Sequence, residues 1–163
     1  MSDNPGNQPA GASAAPQASF QIEKLYIKDL SLEVPNAPQV FMETGNPQLE
    51  IQLRNEGQQF ADGMFEVTVT VTVTARDGDK TVFLAEAVQA GIFSVRGIPA
   101  EDLDPLLGIG CPTILYPYAR EAISDLVTRA GFPAVVLAPV SFEQLYMDRR
   151  QQAAAAPKIQ LPN

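Results

Sequence analysis

FEVTVTVTVTA, Phe65 to Ala75, alternates apolar and polar residues without a break. Phe65, Val67, Val69, Val71, Val73 and Ala75 face one way; Glu66, Thr68, Thr70, Thr72 and Thr74 face the other. A period of two, carried largely by β-branched residues, predicts a strand with one face against a core. Asp77-Gly78 then supplies hairpin-turn chemistry. The next strand is predicted from Lys80 to Ala90, where Gly91 permits a bend. Upstream, QLEIQLRN (Gln48 to Asn55) alternates in the same way, with Leu49, Ile51 and Leu53 on one face, and NEGQQFADG reads as a loop. Further back, FQIEKLYIKDLSLEV (Phe20 to Val34) is rich in β-branched and aromatic residues and reads as a long first strand. Pro35 and Pro38 end it, because proline cannot donate to a ladder. PNAPQVF then reads as an extended crossover.

After Arg96 the strand pattern stops. EDLDPLLG has the carboxylates of a helix start, where the dipole favours them, and reads as a short helical turn. From Tyr116 to Ala130 the positions Ala119, Ala122, Ile123, Leu126 and Ala130 follow helical spacing. Gly131 stands where a left-handed cap is wanted, and Pro133 prevents continuation. Pro117 marks either the first turn or a kink in a longer helix starting near Pro112. Ser141 and Gln144 form a capping-box pattern for a last helix, with Val140 and Leu145 as its staple. The predicted class is α+β: a four-stranded antiparallel sheet of Greek-key type, with a long crossover after the first strand, followed by two helices. Such long strands leave long edges, which natural proteins cover or pair. Assembly through sheet edges or helices is the expected remedy.

Composition narrows the function classes. The 163 residues are 45% hydrophobic and can bury one ordinary core. No apolar run reaches the about 20 residues of a membrane span, so no membrane insertion is expected. The leader Met1 to Ser19 lacks a basic start and an apolar centre, so it reads as a disordered tract and not as a secretory signal. A flexible tail is expected over residues 153–163, leaving 20–152 as the folded domain. The net charge of -8 and the lack of a Lys/Arg cluster argue against nucleic acid as a partner. The chain has no histidine, which removes the commonest general base and metal ligand. The single Cys111, in an apolar stretch before proline, reads as a packing residue, and a cytoplasmic location fits the absence of paired cysteines.

Catalytic patterns are missing as well. Glu101, Asp102 and Asp104 have no further oxygen ligands at calcium-loop spacing. Gly108 to Pro112, GIGCP, lacks the third glycine and the strand–helix context of a dinucleotide site, and the lysine of a phosphate loop. The serines have no histidine partner. The expectation is a protein that is not an enzyme and uses no cofactor and no metal. On their residue types alone, Asp29, Glu33 and Glu86 read as solvated charges, and Phe132, Phe142 and Tyr146 as core.

Three blocks change that reading. FQIEKLYIKDLSLEVPNAP, then FLAEAVQAGIFSV (Phe83 to Val95), then CPTILYPYAREAISDLVTRAGFPAVVLAPVSFEQLYM (Cys111 to Met147) resemble, in order, the signature segments of the SecB export chaperones. The resemblance spans Phe20 to Gln152. It implies a homotetramer, a dimer of dimers whose eight-stranded sheets sandwich helices. Family positions that affect the tetramer correspond to Ala85, Ala87 and Gln89, and those that contact the export ATPase SecA correspond to Asp29, Glu33, Leu84 and Glu86. The groove for unfolded precursor proteins would use Val40, Phe41, Leu49, Phe132, Val135, Leu137, Phe142 and Tyr146. The implied function is an ATP-independent holdase that keeps precursors export-competent and delivers them to SecA. The leader is longer than the family's usual N-terminal segment, and the tail PKIQLPN carries no carboxylate side chain, where familiar members end in an acidic tail. Two other functions fit the residues: a SecB-like chaperone of a toxin–antitoxin system, or a carrier of small apolar ligands.

Overall fold

The computed structural model describes residues 17–155. Strands β1 (Ser19–Glu33), β2 (Gln48–Ala61), β3 (Met64–Asp77) and β4 (Lys80–Arg96) precede helices α1 (Ala100–Pro105), α2 (Cys111–Arg129) and α3 (Phe142–Ala155). A single 3-10 turn lies at Gln39–Met42 and a π-helical turn at Leu106–Gly110. The expected four-stranded antiparallel sheet with helices following it is what forms. The strand order is β1-β4-β3-β2, so the crossover after β1 takes the chain to the opposite edge. The leader expected over Met1–Ser19 lies outside the described residues except for Gln17–Ser19, and Ser19 already belongs to β1. Of the tail expected over 153–163, residues 153–155 complete α3 and the rest lies outside the described residues.

Register assigns the faces. Val69, Val71 and Val73 of β3 oppose Gln89, Ala87 and Ala85 of β4, and all six are buried beneath α2. Ile123, Leu115, Ala119 and Val127 supply the helix side of that core. Cys111 is buried there too, and loss of solvation pushes its thiol up to about 12.

Several boundaries differ from the sequence expectation, each for a local reason. NEGQQFADG is not a loop: β2 continues to Ala61, and Asp62-Gly63 makes the turn, with Gly63 at φ 64°. Residues Glu56–Ala61 are exposed on both faces, so no alternation betrays the strand. β4 likewise runs on to Arg96 through Gly91. A Cβ there would lie 2.7 Å from Cε2 of Phe93 and 3.0 Å from Cδ2 of Leu115, so this glycine makes room for core side chains. The crossover is not extended throughout, because it coils into turns and the 3-10 turn.

The α1 turn is not separate from α2; Ala100 to Arg129 is one unbroken helical run. Pro112 lacks the N–H that would reach the Gly108 carbonyl, and Asn55 Nδ2 of β2 donates to that oxygen instead, at 3.4 Å. Pro117 lies within α2, which starts at Cys111. At α3, Ser141 Oγ accepts from the Gln144 N–H at 3.2 Å, while the Gln144 side chain turns to Asp148. The capping box is half formed.

Candidate functional site

A groove of about 470 Å³ opens between the crossover and the segment that follows α2. Its floor comes from Val82 and Phe83 of β4 and its walls from Val40, Phe41, Leu49, Phe132 and Val135. The cap of α2 creates it. Gly131, at φ 91°, lets its own N–H reach the Thr128 carbonyl and the Phe132 N–H reach the Val127 carbonyl. That reversal puts the Phe132 ring between Phe83, at 4.9 Å between centroids, and Phe41, at 5.2 Å. On the far wall, Asn36 donates to the Thr81 carbonyl at 2.9 Å and Lys80 pairs with Glu43 at 2.6 Å, tying the crossover to β4.

The groove leaves apolar surface in water. Phe41 is 49% exposed and the neighbouring Met42 86%. Burial alternates along the segment after α2: Val135 and Leu137 are buried, and Val136 between them is 80% exposed. An open aromatic trough can bind apolar side chains of many shapes, since burying one gains about 1.5–3 kcal/mol whatever its identity.

Of the eight residues expected to bind client chains, five (Val40, Phe41, Leu49, Phe132 and Val135) line this groove. The other three lie apart from it. Leu137 and Phe142 are core residues, Phe142 meeting Tyr116 edge-on at 5.7 Å between centroids. Tyr146 packs over Gly108 and donates its hydroxyl to Asp104. Sequence reasoning missed Val82, Phe83 and the Pro133-Ala134 pair of the groove wall. Proximity of Pro133-Ala134 to Gly131 was the available clue.

The opposite face of the sheet is polar. Glu33 pairs in register with Leu84, Ser31 with Glu86 and Asp29 with Val88, so Asp29, Glu33, Leu84 and Glu86 share one outer-face patch. Bulging of β1 around Lys28 keeps Asp29 and Glu33 on that face. Glu86 accepts from Thr72 Oγ1 at 2.7 Å. Nearby, Glu66 receives Lys28 at 2.7 Å, Gln58 at 3.0 Å and the Tyr26 hydroxyl. The ammonium of Lys28 and the Tyr26 hydroxyl hold the Glu66 carboxyl below its ordinary value, and the same bond pushes Tyr26 up to about 12. Ala85, Ala87 and Gln89 lie on the other, helix-facing side, buried within the protomer, with Gln89 Nε2 donating to the Tyr26 carbonyl at 3.1 Å.

Residues 13–153 match the family described as "Preprotein translocase subunit SecB". The chain belongs to the SecB family. SecB proteins are chaperones of protein export, not a class of enzymes. The "Protein-export protein SecB" of Chromobacterium violaceum is 62% identical over 140 residues, 86% of this chain and 93% of that protein. That of Dechloromonas aromatica is 58% identical over 141 residues, again 86% of this chain and 93% of the relative. The SecB-like chaperone of Mycobacterium tuberculosis, solved in complex with a ChAD peptide from the HigA1 antitoxin, shares the fold. It superposes with a TM-score of 0.61 at 20% identity, covering 74% of this chain and 90% of that one.

Within the SecB frame, the groove and the outer face have separate chemistry. The groove offers aromatic and aliphatic surface with a carboxylate rim of Glu43 and Asp77. The outer patch offers carboxylates on a rigid sheet. No group of three or more His, Cys, Asp or Glu side chains suited to a metal ion occurs among the described residues. No described helix is long and apolar enough to cross a membrane.

Proposed function

We propose that this SecB-family chain is an ATP-independent holdase of the cytoplasm, binding unfolded precursors in the groove floored by Val82 and Phe83 and walled by Phe41 and Phe132, and passing them to SecA. The observation that carries this is the solvent-open aromatic trough of Phe41, Phe132 and Phe83. A folded protein has buried the segments such a trough holds, so it is not retained. Many weak contacts along one unfolded chain multiply through effective concentration. Release needs no nucleotide here, because SecA supplies the work of translocation. The peptide bound to the mycobacterial SecB-like chaperone supports peptide capture by this fold. Identities of 54–62% to export chaperones support export over service to a toxin–antitoxin pair.

Assembly completes the proposal. β1 pairs with β4 alone among the described strands, leaving one edge of its 15 residues free. Ile22, Ile27 and Leu30 of β1 are exposed on the helix-facing side. Pairing of two β1 edges would cover them in an eight-stranded sheet, and two such dimers would form the tetramer. Ala85, Ala87 and Gln89 would then act on assembly from inside, by setting how closely α2 lies on the sheet. SecA would dock on the outer patch of Asp29, Glu33, Leu84 and Glu86, whose charges suit a basic partner and would be screened by salt.

A refolding assay with an export precursor, run beside mass measurement in solution, tests the reading. Arrested refolding by a tetramer is expected. A monomer that leaves refolding untouched, or one that binds only small apolar ligands, would end it.

A further inference from the structure

We propose that α3 is a strap across the far end of the precursor groove and that the Arg149–Asn55 contact is its latch, so that long apolar segments gain the covered end only when the latch opens. This deepens the reading of the groove as the precursor-binding site and rests on it.

The register of β2 shows where the groove stops. Leu49, Ile51, Leu53 and Asn55 stand opposite Ala75, Val73, Val71 and Val69, so all four turn to the helix-facing side. Exposure falls along that row: Leu49 is 47% and Ile51 50% exposed, Leu53 is half-buried and Asn55 is 8% exposed. Leu49 already lines the groove. Six strand residues at about 3.3 Å each carry the row on for about 20 Å to Asn55. The apolar row therefore runs past the open groove, and what closes it lies over Asn55.

Arg149 of α3 is that cover. Its guanidinium donates to Asn55 Oδ1 and, at 3.5 Å, to the Asn55 backbone carbonyl. Asn55 Nδ2 is meanwhile engaged with the Gly108 carbonyl at 3.4 Å. One turn earlier the Tyr146 hydroxyl donates to Asp104, and the Arg150 guanidinium stands 5.7 Å from the Tyr146 ring centroid. Apolar anchoring is confined to the start of the helix. Phe142 is the one buried residue of α3, Leu145 packs against the core, and from Met147 to Ala155 every residue but Asp148 is exposed. The helix is thus pinned by apolar contact at one end and tied by polar bonds at the other. Polar bonds exchange for water at small net cost, whereas lifting Phe142 would expose a buried ring, so opening is a swing about the Phe142 turn. The segment that then fits is an extended apolar stretch of unfolded precursor, running from Phe41 past Leu53. Its own backbone N–H groups can replace Arg149 at Asn55 Oδ1. A closed latch reduces the apparent affinity for such a segment by the fraction of open molecules.

Two apolar peptides of one repeating composition, about five and about eleven residues long, test the strap on the full-length chain. Arg149→Met keeps an unbranched apolar stem and removes the donors. It should tighten the long peptide about tenfold, leave the short one unchanged, and speed hydrogen exchange of the α3 amides after Tyr146. The converse variant, Asn55→Cys/Arg149→Cys closed by a cleavable bis-methanethiosulfonate, fixes the strap; buried Cys111 takes no part. Locked protein should bind the long peptide no better than the short one until a reductant frees it. If Arg149→Met fails to fold, the locked pair decides alone. Long-peptide affinity that is unchanged or weaker in folded Arg149→Met, or that survives locking, overturns the strap and makes α3 a fixed wall. A short peptide bound as tightly by Phe41→Ala as by the parent overturns the groove reading itself, and the strap with it.

Discussion

The ring of Phe132 sits 4.9 Å from that of Phe83, centroid to centroid, so the residue that closes the α2 cap is fixed against the start of strand β4. A helix terminus and a strand start, 49 positions apart in sequence (132 minus 83), thereby share one aromatic surface. The groove depends on that contact, and the contact depends on Gly131.

Gly131→Ala is therefore expected to act on both stability and capture. Its φ of 91° strains any L side chain, and the new Cβ would stand 3.4 Å from Cε1 of Phe41. A loss of about 1–2 kcal/mol is expected in urea melts, together with weaker precursor holding as Phe132 is displaced.

Truncations should separate groove from core. Phe41→Ala removes a half-exposed ring and should change stability by less than about 1 kcal/mol while lowering precursor affinity several-fold. Phe142→Ala and Leu137→Ala remove buried side chains and should cost about 2–5 kcal/mol. If Phe41→Ala leaves peptide capture intact, the groove assignment fails.

Enlarging a helix-facing β4 residue should act on assembly. Ala87 is buried opposite Val71 beneath α2, so Ala87→Leu overpacks the interface at about 1–3 kcal/mol. Light scattering should show a smaller particle than the parent at equal concentration. An unchanged mass in a folded variant would remove Ala87 from the set that governs assembly.

The Glu66 node gives stability a pH dependence. Lys28 and the Tyr26 hydroxyl lower the folded carboxyl below its ordinary 4.5, so the unfolded chain binds the proton more tightly. The stabilisation is present above about pH 4.5 and is lost as the pH falls through the depressed folded value. Melting temperatures of the parent should drop through that range, and Glu66→Gln should flatten the drop.

Cys111 should resist alkylation in the native state. Burial raises the thiol from an ordinary 9.0 to about 12, so almost no thiolate exists at neutral pH. Iodoacetamide should label it only in denaturant. Above about pH 9 the unfolded thiol ionises and the folded one does not, so this group lowers stability from there upward.

Local chemistry was enough for much of this. The uninterrupted two-residue period of Phe65–Ala75 specifies a strand with one buried face, because a slip by one would expose every valine. Asp77-Gly78 and Gly131-x-Pro133 specify a turn and a helix end through backbone conformations that few residues adopt. The block resemblance specified the family. Where burial is absent on both faces, as over Glu56–Ala61, periodicity vanishes and the strand goes unseen. Pro112 read as a candidate helix start, yet the run begins at Ala100 and passes through Pro112 by way of a π-helical turn, where Asn55, 53 positions before Gly108, donates to the carbonyl that Pro112 leaves free. Which apolar residues form the groove was likewise decided in three dimensions. Phe132 and Phe142 are equally hydrophobic, but the α2 cap turns one into the trough while Tyr116 covers the other. The same holds for polar contacts: Asn55 and Arg149, 94 positions apart, meet only when α3 is laid against β2, a relation no local pattern encodes.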